Sequence, residues 1–102
     1  MRIAIVDDIH SERVLLHTRL EEQLTKRGVH ADLTEFENGE AFLKASRERP
    51  FTVLFLDIYM DGANGIEIAR ELRGFDPDCL LIFTTTSTDH ALDGFKVRAL
   101  HY

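Results

Sequence analysis

The sequence contains a single cysteine, Cys79. A disulfide framework is therefore excluded, the fold must rest on its core, and a reducing, cytosolic setting fits. Long apolar runs are missing too. None approaches the roughly 20 residues needed to span a bilayer, so no membrane partner is expected. The first run, Ile3 to Val6, leads straight into acids and is too short for a signal peptide. Bases are scarce: 12 Lys and Arg stand against 18 Asp and Glu, a net charge of −6. Phosphate contacts need clustered bases, so the chain is not expected to be a nucleic-acid-binding surface itself. No internal repeat, linker or low-complexity segment interrupts it.

What is present suits one globular domain. The chain has 102 residues, 44% of them apolar. At that size roughly two-thirds of the unfolded surface can be buried, enough for a core without staples. "RIAIVDD" reads as a buried strand closed by two acids. A helix of about five turns follows, with Ser11 as N-cap, Leu16, Leu20 and Leu24 on one face, and Gly28 as the stop. Ala31–Phe36 alternates apolar and polar, as a strand with one wetter face does. A short helix opens near Asn38-Gly39 and closes before Pro50. "FTVLFLD" (51–57) is a continuous apolar run, the pattern of a central parallel strand covered on both faces.

"GANGIEIARELRG" predicts a helix with Ile66, Ala69 and Leu72 inward and Gly74 as its stop. Asp76-Pro77-Asp78 reads as a turn, "CLLIFTT" (79–85) as a fourth strand, and "STDHALDGFKVRA" (87–99) as a weaker helix. "LHY" begins a further strand. Strict alternation with short loops predicts a doubly wound parallel α/β sheet with helices on both faces. In such sheets, ligands sit at the carboxyl ends of the strands, near the switch in strand order.

Three acids lie where that rule points. Asp7 and Asp8 close the first strand, and Asp57 closes the third. If those strands are neighbours, three carboxylates converge. They cannot all stay ionised uncompensated, so a carboxyl pKa rises or a cation binds. Mg²⁺ suits a partial site of carboxylates, a carbonyl and waters. The fourth strand brings a hydroxyl run, Thr84 to Ser87, to the same edge. Metal, carboxylate and hydroxyl together support phosphoryl transfer onto a carboxylate.

"VDD", "LDIYMDGANG", "TTS" and "ALDGFKVRALHY", in this order, resemble a bacterial response-regulator receiver domain of the flavodoxin-like fold. "FTTTSTDHALDGF" is most similar to receivers that precede LytTR-type (LytR/AlgR) DNA-binding domains. The resemblance covers essentially residues 1–102 as one receiver domain. It implies that Asp57 is the phosphoacceptor and that Asp8 and Asp57 ligate Mg²⁺. Asp7 would help through water, and the backbone carbonyl of Tyr59 would complete the protein contacts. Thr85 matches the switch hydroxyl and Tyr102 the aromatic whose rotamer follows it. It further implies a sensor histidine kinase as donor, a cytoplasmic signalling domain rather than an enzyme, and transcription control through a DNA-binding domain outside this chain.

Two departures stand out. Asp61 occupies a position where the family often has proline. The family's lysine, the rest of its fifth strand and its last helix would lie beyond Tyr102. On that basis the domain is expected to be C-terminally incomplete and to form a homodimer, with element exchange between copies.

Other readings are weaker on the residues. A phosphatase of the haloacid-dehalogenase type would need an acid two residues after the nucleophile, where Tyr59 stands. A flavodoxin-like cofactor binder would need a phosphate loop after the first strand, where "DDIHSER" supplies acids. A degenerate receiver acting only as an interaction module remains a rival. His10 and His17, seven apart, read as solvated helix residues rather than a metal pair. Cys79, Phe36, Phe42, Phe51, Phe55 and Phe83 read as core.

Overall fold

The structure, a computed structural model, describes residues 1–60 and 63–84. Asp61, Gly62, the expected helix over 87–99, the further strand, Thr85 and Tyr102 lie outside the described residues. Within them the order is β1 (Arg2–Val6), α1 (His10–Lys26), β2 (Asp32–Phe36), α2 (Gly39–Glu48), β3 (Val53–Leu56), β4 (Tyr59–Met60), β5 (Ala63–Asn64), α3 (Gly65–Phe75) and β6 (Leu80–Phe83). β2, β1, β3 and β6 form a parallel sheet in that spatial order, the α/β architecture expected. β1 and β3 are direct neighbours at the switch in strand order, with Val6 opposite Leu56. The antiparallel β4–β5 pair, two residues a strand, was not foreseen from the sequence.

One face of the sheet is sealed. Ala4, Val6, Leu54, Leu56, Leu81 and Phe83 pack against Phe42 and Leu43 of α2 and Ile66, Ala69 and Leu72 of α3. Phe36, Phe42 and Phe51 add ring pairs with centroids 5.6–5.8 Å apart. On the other face, among the described residues, Ile3 and Ile5 of β1 are buried. On that face Val53 and Phe55 of β3, and Leu80 and Ile82 of β6, are half-buried. Phe55, expected in the core, is corrected to half-buried.

Helix ends show which local signals operate. Asn38 caps α2, its side chain accepting from the Ala41 amide at 2.8 Å, and Asn64 caps α3 through the Ile66 amide at 2.7 Å. Ser11 is not a cap. α1 begins at His10 after Ile9, which makes no side-chain cap bond. The Ile9 amide is instead taken by the Asp7 carboxylate, so the turn before the helix replaces the cap. Gly28 takes φ +67 just beyond α1, as expected of a stop. Gly74 lies inside α3 rather than ending it. The helix stops at Asp76, the residue before Pro77. Asp76 Oδ1 accepts from the Asp78 and Cys79 amides at 3.0 and 3.1 Å, closing the expected turn. Cys79 is buried, which pushes its thiol up to about 11, with Asp76 adding to the shift. A thiol held protonated packs as a small apolar group.

Candidate functional site

The site is built by two strand ends. β1 stops at Val6 and β3 at Leu56, which are register partners, so Asp7 and Asp57 emerge side by side. The Asp57 amide still donates to the Val6 carbonyl at 3.0 Å, and the Asp7 amide to the Phe36 carbonyl at 3.2 Å. The sheet's own hydrogen bonding therefore fixes both backbones where the side chains leave the core. Asp8 joins them from the next position. One carboxylate oxygen from each of Asp7, Asp8 and Asp57 lies within 4.8 Å of the other two.

The local backbone orients these groups. Asp7 Oδ1 accepts from the Ile9 amide at 2.9 Å, and Asp57 Oδ1 from the Tyr59 amide at 3.3 Å. Behind Asp57, the Gly65 amide donates to the Ile58 carbonyl at 2.8 Å, so the start of α3 is pinned to the backbone that carries the carboxylate. Tyr59 is about half exposed beside the site, and Asp57, Asp7 and Asp8 are each partly buried. At β6, the Thr84 amide donates to the Leu56 carbonyl at 3.0 Å, and Thr84 shares with Asp7 a cleft of about 170 Å³. The hydroxyl run therefore starts at the acidic edge, although Thr85 itself lies outside the described residues. A wider cleft of about 370 Å³ runs along α1 and the start of β2, away from these acids.

Electrostatics records the crowding. Burial pushes the Asp57 carboxyl from its ordinary 3.8 to about 6, and the charges of Asp7 and Asp8 push the same way, against the Tyr59 and Ile58 amides. Asp7 is also raised, by burial first, while the Ile9 amide opposes. Three oxygen donors this close, two of them with elevated pKa, form a set that a hard divalent cation would relieve. The residues present fit Mg²⁺ by donor chemistry. The position two residues after Asp57 is Tyr59, so no second acid stands where a phosphatase of the rival type would need one.

The structure thus brings Asp7, Asp8 and Asp57 together, with the Tyr59 amide bonded to Asp57. It changes the reading of the histidines. His17 is held between Glu35 at 2.8 Å and Glu21 at 3.0 Å, and His10 meets Arg13 at 3.1 Å, so they form neither a metal pair nor two merely solvated residues. Arg13 and Glu35 were missed. They lie 22 positions apart on α1 and β2, and only the fold joins them.

Comparison with known proteins agrees with this geometry. Residues 3–102 match the family described as the response regulator receiver domain. The sensory transduction protein LytT of Bacillus subtilis is 30% identical over 102 residues, covering 100% of this chain and 41% of that protein. LytT of Oceanobacillus iheyensis is 40% identical over 68 residues, 65% of this chain and 28% of that protein. This chain therefore spans less than half the length of these curated relatives. Among solved structures, the response regulator TrrA of Thermotoga maritima, in complex with Mg²⁺ and BeF, superposes with a TM-score of 0.83 at 31% identity. That match covers 99% of this chain and 83% of TrrA.

Proposed function

Because this chain belongs to the response regulator receiver family, the signalling domain of two-component systems, we propose that Asp57 is its phosphoacceptor and that Mg²⁺ is held by Asp7, Asp8, Asp57 and the backbone carbonyl of Tyr59. The observation that carries this reading is the meeting of three carboxylates within 4.8 Å at paired strand ends. Bound there, Mg²⁺ would supply charge neutralisation for the phosphoryl oxygens.

The chain's own residues do the rest. An Asp57 carboxylate oxygen attacks phosphorus as the bond from phosphorus to a kinase histidine nitrogen breaks. The nitrogen keeps the electron pair, and Asp57 becomes an acyl phosphate. The Tyr59 amide holds the carboxylate in place for the attack. Thr85 supplies the hydroxyl that turns toward the new phosphoryl group, and the Tyr102 ring follows it. A sensor histidine kinase is the donor and the cytoplasm the setting. The output is pairing of two copies and transcription control through a LytTR-type DNA-binding domain outside this chain. The LytT relatives and the intact acids favour this reading over a degenerate interaction module.

The test uses beryllium fluoride, which stands in for a phosphoryl group on a carboxylate. With Mg²⁺ present, the backbone amide resonances of Ile58 and Tyr59 are expected to shift, and neither is expected to respond in Asp57→Asn. An unaltered chain whose spectrum ignores Mg²⁺ and beryllium fluoride together would refute the assignment.

A further inference from the structure

α1 has no fully buried residue, yet it lies along β1 and β2. Part of its attachment runs through one charged side chain. Arg13 is only 11% exposed and uses its whole fork. Nη1 donates to the Asp7 carbonyl at 2.7 Å, Nε pairs with Glu35 Oε1 at 3.4 Å, and Nη2 meets His10 Nδ1 at 3.1 Å. Glu35 is fixed in turn on its second oxygen by His17 Nδ1 at 2.8 Å. The guanidinium is thus anchored from both β2 and α1 while it grips the backbone of Asp7.

That grip completes a set. The Asp7 amide is tied to the Phe36 carbonyl, its carboxylate to the Ile9 amide, and its carbonyl to Arg13. The peptide unit joining Asp7 to Asp8 therefore cannot rotate without breaking the Arg13 contact. Which way that unit faces decides whether the two carboxylates point at Asp57. Arg13 also draws the Asp7 carboxyl down, but as the weakest of the influences on it, so what Arg13 gives the pocket is orientation more than potential.

We propose that Arg13, held by Glu35, is a positioning residue for the metal pocket, fixing the Asp7–Asp8 turn so that its carboxylates face Asp57. The proposal rests on the reading of that pocket as a Mg²⁺ site. Arg13→Lys separates orientation from charge. Lysine keeps the positive charge and the aliphatic stem, but its single ammonium cannot reproduce a three-way fork. Arg47→Lys is the control for a lost guanidinium pair away from the pocket, because Arg47 pairs with Glu71 at 2.8 Å between α2 and α3 in an exposed setting.

Mg²⁺ binding by titration calorimetry and, in metal-free protein, hydrogen exchange of the Ile9 amide are read on the unaltered chain and both variants, beside their melting temperatures. In Arg13→Lys the Kd for Mg²⁺ is expected to rise about tenfold, the lower end of what contacts behind a metal ligand carry. The Ile9 amide is expected to exchange faster. Arg47→Lys should leave both within twofold. Binding and exchange in Arg13→Lys equal to those of the unaltered chain would overturn the proposal while leaving the Mg²⁺ site standing. An equal loss in Arg47→Lys would also overturn it, as general loosening. Absence of Mg²⁺ binding by the unaltered chain would sink the pocket and the proposal with it.

Discussion

Gly65→Ala is expected to be the most damaging added methyl among the described glycines, costing about 3 kcal/mol of stability, the upper end for overpacking. A Cβ at this position would press into the Asp57 carbonyl oxygen, 2.7 Å from Ile58 Cα and 3.0 Å from the Asp57 carbonyl carbon. All three are backbone atoms at the end of β3. They cannot yield as a side chain does, and the Gly65 amide is bonded to the Ile58 carbonyl at 2.8 Å. Relief requires either the start of α3 or the Asp57 backbone to move. The melting temperature should fall by roughly 15 °C for a domain of this size. The surviving folded fraction should bind Mg²⁺ more weakly, because Asp57 is displaced. Gly39→Ala is the contrast. Its Cβ would meet only the Ile68 side chain, whose tip can swing away. A smaller loss is expected there, about 1 kcal/mol. Thermal unfolding followed by circular dichroism checks both, and equal losses would remove the special role given to the Asp57 backbone.

Asp57→Asn is expected to do the opposite to stability while abolishing phosphoryl transfer. The Asp57 carboxyl stands at about 6 in the folded chain against an ordinary 3.8. The metal-free folded state therefore binds this proton more tightly than the unfolded state does. Its contribution to stability is fully present below about pH 4 and is lost as pH rises through about 6. The raised Asp7 carboxyl acts in the same direction. Taken at face value the Asp57 shift corresponds to roughly 3 kcal/mol, which solvent screening of a half-exposed group reduces to about 1–2 kcal/mol. Asparagine has the same shape without the charge. At pH 7 without metal it should raise stability by about that amount, and near pH 4 the gain should vanish. Mg²⁺ should stabilise the unaltered chain more than the variant, since binding to the folded state alone adds stability. Urea unfolding at the two pH values, with and without Mg²⁺, reads all of this. An Asp57→Asn variant less stable than its parent at pH 7 would contradict the crowded-carboxylate account.

The same physics explains how far the sequence could be read. The acids were legible because a charge closing an apolar strand is costly unless something compensates it, and two strands ended that way. The opening of α2 near Asn38 and the Asp76 turn were legible because both signals act within a few residues. The Ser11 cap was misread because Asp7 takes the Ile9 amide and the helix starts earlier. Gly74 was misread as a stop because Pro77 sets the end instead. Phe55 was misread as core: an apolar run states what could be buried, and Phe55 on β3 is half-buried. Arg13 and Glu35 carried no local signal at all. Their partnership exists only because α1 crosses β2 once the sheet has formed.

Asp57 is proposed to take a phosphoryl group. The most direct measurement is intact mass after incubation with a small acyl-phosphate donor, with and without Mg²⁺, on the unaltered chain and on Asp57→Asn. A gain of one phosphoryl group is expected that requires Mg²⁺, is lost on treatment with base and is absent from Asp57→Asn. No gain in the unaltered chain with Mg²⁺, or an equal gain in Asp57→Asn, would contradict that proposal.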